Sequence, residues 1–424
     1  MDFVRIAVVG CGGRGQYLLE GCVLQHEKAR VVAVCDIYED RCDNAEKWVT
    51  DAGQPAPFKT TDYHELLTRE DVDAILISAA WEAHVPVAID SMKAGKITAL
   101  EVGGAYSIDD CWRLVRTWEE TKTPFMFLEN CCYGRREMMI MHMNEQGLLG
   151  RIVHCSGAYQ HDLRKQIAYG KEKRHYRYAN YISRNCENYP THELGPIAQL
   201  LGINRGNRML SLTATSSLSA GMQEYLRKNK PEDQTLLETH FNQGDVVTTV
   251  IKCANGETIR MMLCTTLPCF YSRQFTVHGT NAIYEESSDS LYMDIKEMHE
   301  VEWEWKKHWG NAEELAEKYD HPMWKNFLSD GVRGGHGGMD WLVIDDFLNC
   351  ILENRPFPID VYDAAAWMCI TTISEDSIAC GSMPQPIPDL QTGHGSGVKR
   401  NKYPPVCREA RPRDTHFSFP KEIL

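Results

Sequence analysis

Residues 188–196 read Asn-Tyr-Pro-Thr-His-Glu-Leu-Gly-Pro, which places Tyr189 and His192 at the mouth of an apolar helical pattern. A second phenol and imidazole, Tyr159 and His161, stand two apart at the far end of the strand-like run 151–164, so period two puts them on one face. A helix needs only a small polar cap at its start. A phenol and an imidazole there can do more, because neighbours move their pKa values toward the working pH and make them proton carriers. Taken one at a time, each has a plainer reading: a capping aromatic, a structural histidine, packing at a strand end. A zinc site on His161 and His192 lacks a third ligand at a workable spacing, so no metal is expected.

The first 36 residues supply the context. The segment Gly-Cys-Gly-Gly-Arg-Gly at 10–15 puts Gly10, Gly12 and Gly15 in a Gly-x-Gly-x-x-Gly pattern, with Gly13 and Arg14 inside it. It follows an apolar strand-like run and opens a helix, so backbone N–H groups and a helix N-terminus can meet a pyrophosphate. Asp36 ends the next strand-like run, where a carboxylate would bond ribose hydroxyls and repel a 2′-phosphate. NAD is therefore expected rather than NADP. Arg14 and Arg41 are candidate phosphate neighbours, against the plainer reading of two solvated surface charges.

The elements that must position these groups change character along the chain. Up to residue 130, short apolar runs (5–10, 31–36, 73–80, 96–101, 124–129) alternate with amphipathic stretches, the pattern of a doubly wound parallel sheet. After it come period-two runs at 208–217, 245–254, 257–266 and 274–282, which predict a large, mostly antiparallel open sheet in an α+β domain. Residues 165–188 read as a long loop and 287–335 as irregular, with a Trp-rich patch at 302–309. Helices are expected at 136–150, 192–202, 338–352 and 360–381. The expected units are an NAD-binding Rossmann domain (1–130), a domain for substrate and oligomerisation (131–385), and a surface-draped tail (386–424).

Bulk properties narrow the function classes. A net charge of -14 over 424 residues argues against nucleic acid or an anionic membrane as partner. No apolar run approaches the ~20 residues that span a bilayer. The N-terminus enters a strand directly without a leader pattern, so a cytoplasmic location is expected. With no Cys-x-x-Cys pair, the 16 cysteines are expected to be reduced thiols.

A dinucleotide domain followed by an open antiparallel sheet resembles the glucose-fructose oxidoreductase/inositol dehydrogenase/MocA superfamily. There the fifth strand ends Glu-Lys-Pro and a later helix opens with Asp-x-x-x-His. This chain keeps Glu101 and His192 but has Val102 and Asn188 at the lysine and aspartate positions. The segments 101–112, 128–139, 157–164, 188–196, and 334–342 with 360–367 resemble the NAD-dependent glycosidases of glycoside hydrolase family 109, across about residues 4–385. The resemblance implies α-N-acetylgalactosaminidase-like or broader α/β-glycosidase activity, with NAD bound tightly and recycled each turnover. It implies oxidation at sugar C3, deprotonation at C2, elimination of the aglycone, water addition and re-reduction.

It also implicates Glu101, Tyr159, His161, Arg177, Tyr189, His192 and Tyr271. We assign Tyr189 to the C2 proton, His192 to the C3 hydroxyl, and Tyr159 with His161 to orientation or the leaving group. Arg177, Tyr271 and His336 are placed on the substrate, and Glu101 and Asn130 join the cofactor set. The family reads Gly where this chain has Glu193, which puts a carboxylate next to His192. The other readings are an NAD-dependent sugar 3-dehydrogenase and a non-catalytic NAD-binding sensor. A homodimer or homotetramer through the free sheet face is expected.

Overall fold

The structure is a computed structural model that describes residues 2–299 and 305–391. Six strands, β1 (Val4–Val9), β2 (Ala29–Cys35), β3 (Phe58–Thr60), β4 (Ala74–Ile77), β5 (Ile97–Leu100) and β6 (Phe125–Phe127), pair in the order β3-β2-β1-β4-β5-β6. Every pairing is parallel. The strands are apolar throughout because helices cover both faces; all four residues of β4 are buried. Helices α1 (Gly13–Gly21), α2 (Glu39–Asp51), α3 (His64–Leu67), α4 (Trp81–Lys93) and α5 (Ile108–Thr121) make the crossovers. Ser107 caps α5 by accepting the Asp110 N–H. Strand order reverses between β1 and β4, so a crevice opens beyond the carboxyl ends of the strands.

The second sheet follows α6 (Arg135–Glu145). Its strands are β7 (Ile152–Gln160), β8 (Met209–Ser216), β9 (Val246–Cys253), β10 (Thr258–Cys264), β11 (Thr276–Gly279), β12 (Ala282–Glu285), β13 (Ser290–Met293) and β14 (Gln385–Pro386). They lie in the order β13-β12-β11-β7-β10-β9-β8-β14. Only β7 and β10 run parallel; the other neighbours are antiparallel. Burial alternates along β9, as expected for a sheet covered on one face. Val250, Ile283 and Tyr292 stand on its uncovered face.

The remaining helices are α7 (Arg164–Ala168), α8 (Arg177–Ser183), α9 (Thr191–Leu200), α10 (Gly221–Asn229), α11 (Gln234–Leu237), α12 (Ala312–Tyr319), α13 (Pro322–Asp330), α14 (Met339–Leu352) and α15 (Val361–Ala379). α9 packs on β7, and α15 packs on both β8 and α5, joining the two sheets around the fully buried Trp367. A reciprocal capping box, Asp360 with Asp363, starts α15.

Two expectations need correction. Residues 165–188 are not a loop: α7 and α8 form there because Ile167, Ala168, Asn180 and Tyr181 bury against the sheet domain. Residues 287–335 are not irregular either: β13, α12 and α13 lie within them, each too short for a periodicity reading to catch. The Trp-rich patch falls partly, and the tail from residue 392 wholly, outside the described residues. Among the described residues no disulfide forms, and all cysteines except Cys269 and Cys380 are buried.

Candidate active site

The cofactor end is built from the glycines upward. Gly10 has φ +96°, and a Cβ there would lie 2.4 Å from the Ala79 backbone nitrogen. A Cβ on Gly15 would lie 2.0 Å from the Gly10 carbonyl oxygen. Only glycine allows so tight a turn from β1 into α1. At Gly13, in the first turn of α1, a Cβ would meet nothing within 4 Å, so the helix mouth is open. Asp36, at the end of β2, accepts N–H bonds from Cys11 (2.9 Å) and Tyr38 (3.1 Å). The Arg41 guanidinium is 3.6 Å from Asp36 and lies over the Tyr38 ring. An open helix N-terminus with a fixed carboxylate on the neighbouring strand fits a dinucleotide.

Arg14 is not a solvated charge. It bonds Glu101 at 2.8 Å and both oxygens of Asp340 at 3.0 Å. Asp340 has no exposed side-chain surface and also accepts from Asn130 Nδ2 (2.7 Å), with His336 Nδ1 at 2.7 Å from it. Burial would raise this carboxyl, but the His336 bond and the Arg14 charge outweigh it and hold it far below the usual carboxylate range. Arg14, Asn130 and His336, expected in two separate groups, thus meet on one residue that the sequence reading missed, and Glu101 joins them through Arg14.

The residues expected on the sugar gather around Glu129, just beyond the carboxyl end of β6. His192 Nδ1 is 2.7 Å from Glu129, which ends the run into β6 and is fully buried. Burial would raise Glu129; the charge and hydrogen bond of His192 prevail and keep it low. An ionised Glu129 can only accept, so Nδ1 carries the hydrogen and Nε2 is left as the reactive nitrogen. Tyr189 packs edge-on to His192 (ring centroids 4.7 Å) and tilts on Tyr159 (4.5 Å). The Tyr159 hydroxyl and His161 Nδ1 are 2.9 Å apart, and the Tyr271 ring is 5.3 Å from that of His161. Arg177 lies 4.9 Å over Trp81 and 5.0 Å over Tyr189, its Nε and Nη1 buried without acceptors.

Electrostatics follow from this enclosure. Burial pushes the Tyr189 phenol well up, Tyr159 adds to the rise, and Arg177 pulls it back. Burial, with Arg177 next, lowers His161 to about 4, so it is neutral at pH 7 and accepts from Tyr159. Every residue expected at the sugar end comes together except His336, which sits on the Asp340 side. Glu129 and Trp81 were not foreseen. Their one signal is position, each at or just beyond the carboxyl end of a parallel strand.

Glu193 does not join His192 at Glu129. It turns toward the sheet, accepts the Met262 N–H at 3.0 Å, and would press on any Cβ at Gly157. There it meets Glu187, also fully buried. Burial, together with Glu193 for Glu187, raises both carboxyls, Glu193 to about 8. Asn188, at the superfamily's aspartate position, donates to Gln243 instead (3.0 Å).

Space also corrects the reasoning about metals. Glu129, Cys131 and His192, a set without His161, bring donor atoms within 4.8 Å of one another. Glu129 Oε1, however, already takes the Cys131 N–H and the His192 Nδ1–H, and burial keeps the Cys131 thiol protonated. A protonated thiol and an engaged pair do not make a closed zinc site.

Comparison with known proteins agrees with this two-part layout. Residues 4–128 match the oxidoreductase family with an NAD-binding Rossmann fold, and residues 133–396 match the C-terminal domain of glycosyl hydrolase 109. A glycosyl hydrolase family 109 protein of Solibacter usitatus is 36% identical over 92% of this chain and 89% of its own length. An alpha-N-acetylgalactosaminidase of Tannerella forsythia is 35% identical over 92% of this chain and 86% of its own. Among solved structures, levoglucosan dehydrogenase with NADH and L-sorbose superposes with a TM-score of 0.68 at 16% identity, covering 92% of this chain and 100% of its own. A myo-inositol dehydrogenase of Sinorhizobium meliloti superposes with a TM-score of 0.61 at 15% identity, over 91% and 100%. These two share the fold. The chain belongs to glycosyl hydrolase family 109, its NAD-binding domain followed by that family's C-terminal domain.

Proposed function

We propose that this glycosidase cleaves α-N-acetylgalactosaminides, and related α- or β-glycosides, by transient oxidation at C3 and elimination from C1. The observation that carries the reading is the Glu129–His192 pair beside Tyr189, near the strand ends where a dinucleotide would lie. Gly10, Gly12, Gly13, Gly15, Asp36 and Arg41 would hold NAD tightly, with Glu101, Asn130 and Arg14 braced behind. When bound there, NAD would supply hydride acceptor and donor chemistry for sugar C3.

The chain's own residues move the protons. His192 Nε2 takes the C3 hydroxyl proton, and Glu129 stabilises the imidazolium, as a carboxylate does behind any catalytic histidine. Once C3 is a ketone, the C2 proton is acidic, and the Tyr189 oxygen removes it. The Arg177 guanidinium at 5.0 Å from that ring offsets part of the cost of a buried phenolate. Tyr159, held by His161, and Tyr271 orient the ring. Water adds to C1 of the enone, and the same groups run in reverse. Paired carboxylates at the anomeric carbon are not needed.

Residues 1–130 would serve the cofactor and 131–385 the sugar. A small glycoside as substrate is consistent with a cytoplasmic enzyme; among the described residues no helix is long and apolar enough to cross a membrane. The uncovered sheet face with Val250, Ile283 and Tyr292 supports a homodimer or homotetramer, and a monomer in light scattering would overturn that.

The test is one reaction in D₂O with the 4-nitrophenyl α-N-acetylgalactosaminide and no added cofactor. Phenol release with deuterium at C2 and no accumulating NADH is expected. A keto sugar with NADH and no phenol, formed only on adding NAD⁺, would mean a sugar 3-dehydrogenase. No turnover in either form would leave only the sensor.

A further inference from the structure

The Asp36 end of the cofactor crevice is met by chain from the other domain. Residues 171–174, Lys-Glu-Lys-Arg, form an exposed tip between α7 and α8, whose Ile167, Ala168, Asn180 and Tyr181 are buried. The tip reaches the start of α2. Arg174 pairs bidentately with Asp40, Nη1 to Oδ1 at 2.9 Å and Nη2 to Oδ2 at 2.6 Å, and its guanidinium lies 4.2 Å over the Tyr38 ring. From the other side, Arg41 Nη2 donates to the carbonyls of Lys173 (3.2 Å) and Arg174 (3.3 Å).

These contacts lie where a dinucleotide would pass. Arg41 is 3.6 Å from Asp36, the expected ribose partner, and a Cβ on Gly12 would lie 3.2 Å from Arg41 Nη1. Arg41 therefore bridges the carboxylate and the glycine turn, and the tip is fastened to it. The backbone is bent to make that fastening. Arg174 has φ +51°, a conformation unfavourable for a residue with a Cβ, and it persists only where contacts over-determine it. Lys171, Glu172, Lys173 and Arg174 are all exposed, so the tip can open without unfolding its anchors. Glu172 pairs with Lys230 at the end of α10, inside the tip's own domain, so the links to α2 can break alone. Exposed ion pairs add little to the stability of a fold. Between two domains, such a link selects one conformation over another.

We propose that residues 171–174 are a strap that gates the cofactor site: Arg174 must release Asp40 and Tyr38 before NAD enters or leaves. The assignment rests on NAD occupying the site between Gly10 and Asp36. A gate that closes equally with and without cofactor slows loading and release by the same factor and leaves the equilibrium affinity where it was. An enzyme that recycles its NAD within each turnover needs no exchange between turnovers, so a slow gate does not limit it.

The test measures NAD exchange in the unmodified holoenzyme, in R174A, in D40N and in the double variant. Release is followed after dilution into alcohol dehydrogenase with ethanol, which scavenges free NAD⁺. Loading is followed by quenching of protein fluorescence when NAD⁺ is added to charcoal-stripped protein. R174A should release and load NAD ~5- to 10-fold faster, the scale of an exposed ion pair together with an exposed cation–π contact. D40N, which leaves the Tyr38 contact, should quicken both by less, and the double variant should match R174A because both changes open one latch. D40N lies in the other domain and keeps the test open should R174A disturb the tip; thermal midpoints of the stripped proteins check the fold. Faster release with unchanged loading would make Arg174 a direct ligand of the cofactor and overturn the gate. Unchanged rates in both directions would overturn it as well. Failure of the unmodified protein to bind NAD at all would instead remove the cofactor reading, and the strap with it.

Discussion

The two carboxylate–histidine pairs are the same chemical unit in two solvents. Glu129–His192 is shut inside the aromatic cluster of Tyr189, Tyr159 and Trp81, while Asp340–His336 opens on water. Each histidine has its tautomer fixed by a buried anion, but the anions are kept ionised differently. Glu129 relies on His192 itself and on the Cys131 N–H, whereas Asp340 is held by Arg14 and Asn130 as well. The dry pair's carboxylate has its histidine as the one cationic partner, whereas the wet pair's has Arg14 besides its histidine. A dry base can take a proton from a substrate hydroxyl without competition from water, and a wet one can return protons to bulk.

The largest effect should come from breaking the dry pair. In Glu129→Gln the amide can present either a donor or an acceptor to Nδ1, so the tautomer is lost. Turnover should drop ~10³- to 10⁴-fold with NAD retained, the scale seen when a triad carboxylate becomes an amide. Single-turnover rates with bound NAD measured in parallel check this, and a loss under tenfold would remove Glu129 from its positioning role.

Breaking the wet pair should act on the scaffold first. Asp340→Asn leaves Arg14 facing only Glu101, and removing one partner of a buried ion pair costs about 3 kcal/mol. Urea unfolding should show that loss together with weaker NAD binding. An unchanged midpoint would mean that Asp340 serves His336 alone.

The smallest effect concerns carboxyls with no base at all. Glu187 and Glu193 share their burial with each other, and both are raised above their ordinary values. A raised carboxyl binds its proton more tightly in the fold. Its contribution is therefore fully present below the unfolded value of 4.5, declines as pH rises, and for Glu193 is gone once about 8 is passed. Unfolding free energy should fall between those limits. Glu193→Gln keeps an acceptor for the Met262 N–H and should flatten the decline. The same slope in the variant would place its origin elsewhere.

The glycine turn, Asp36, the strand–helix alternation and the period-two runs were legible in the sequence because each is an interaction between neighbours in the chain. Tyr159 with His161 was legible for the same reason, since alternation alone puts them together. The reading faltered where burial rather than pattern makes an element, as in α7 and α8. Nor could it place Glu193, since adjacency to His192 does not say which way a side chain on a helix turns.

By itself, then, the amino-acid sequence determined the cofactor class, the two-sheet architecture, and which phenols and imidazoles were available for proton transfer. Only the tertiary structure decided what stands behind them. Glu129 and His192 are 63 positions apart, Arg14 and Asp340 326. No local spacing encodes such pairs. They form because the ends of parallel strands, the mouth of α9 and the first turn of α14 are packed into one crevice, where a buried charge must find its partner or go unionised.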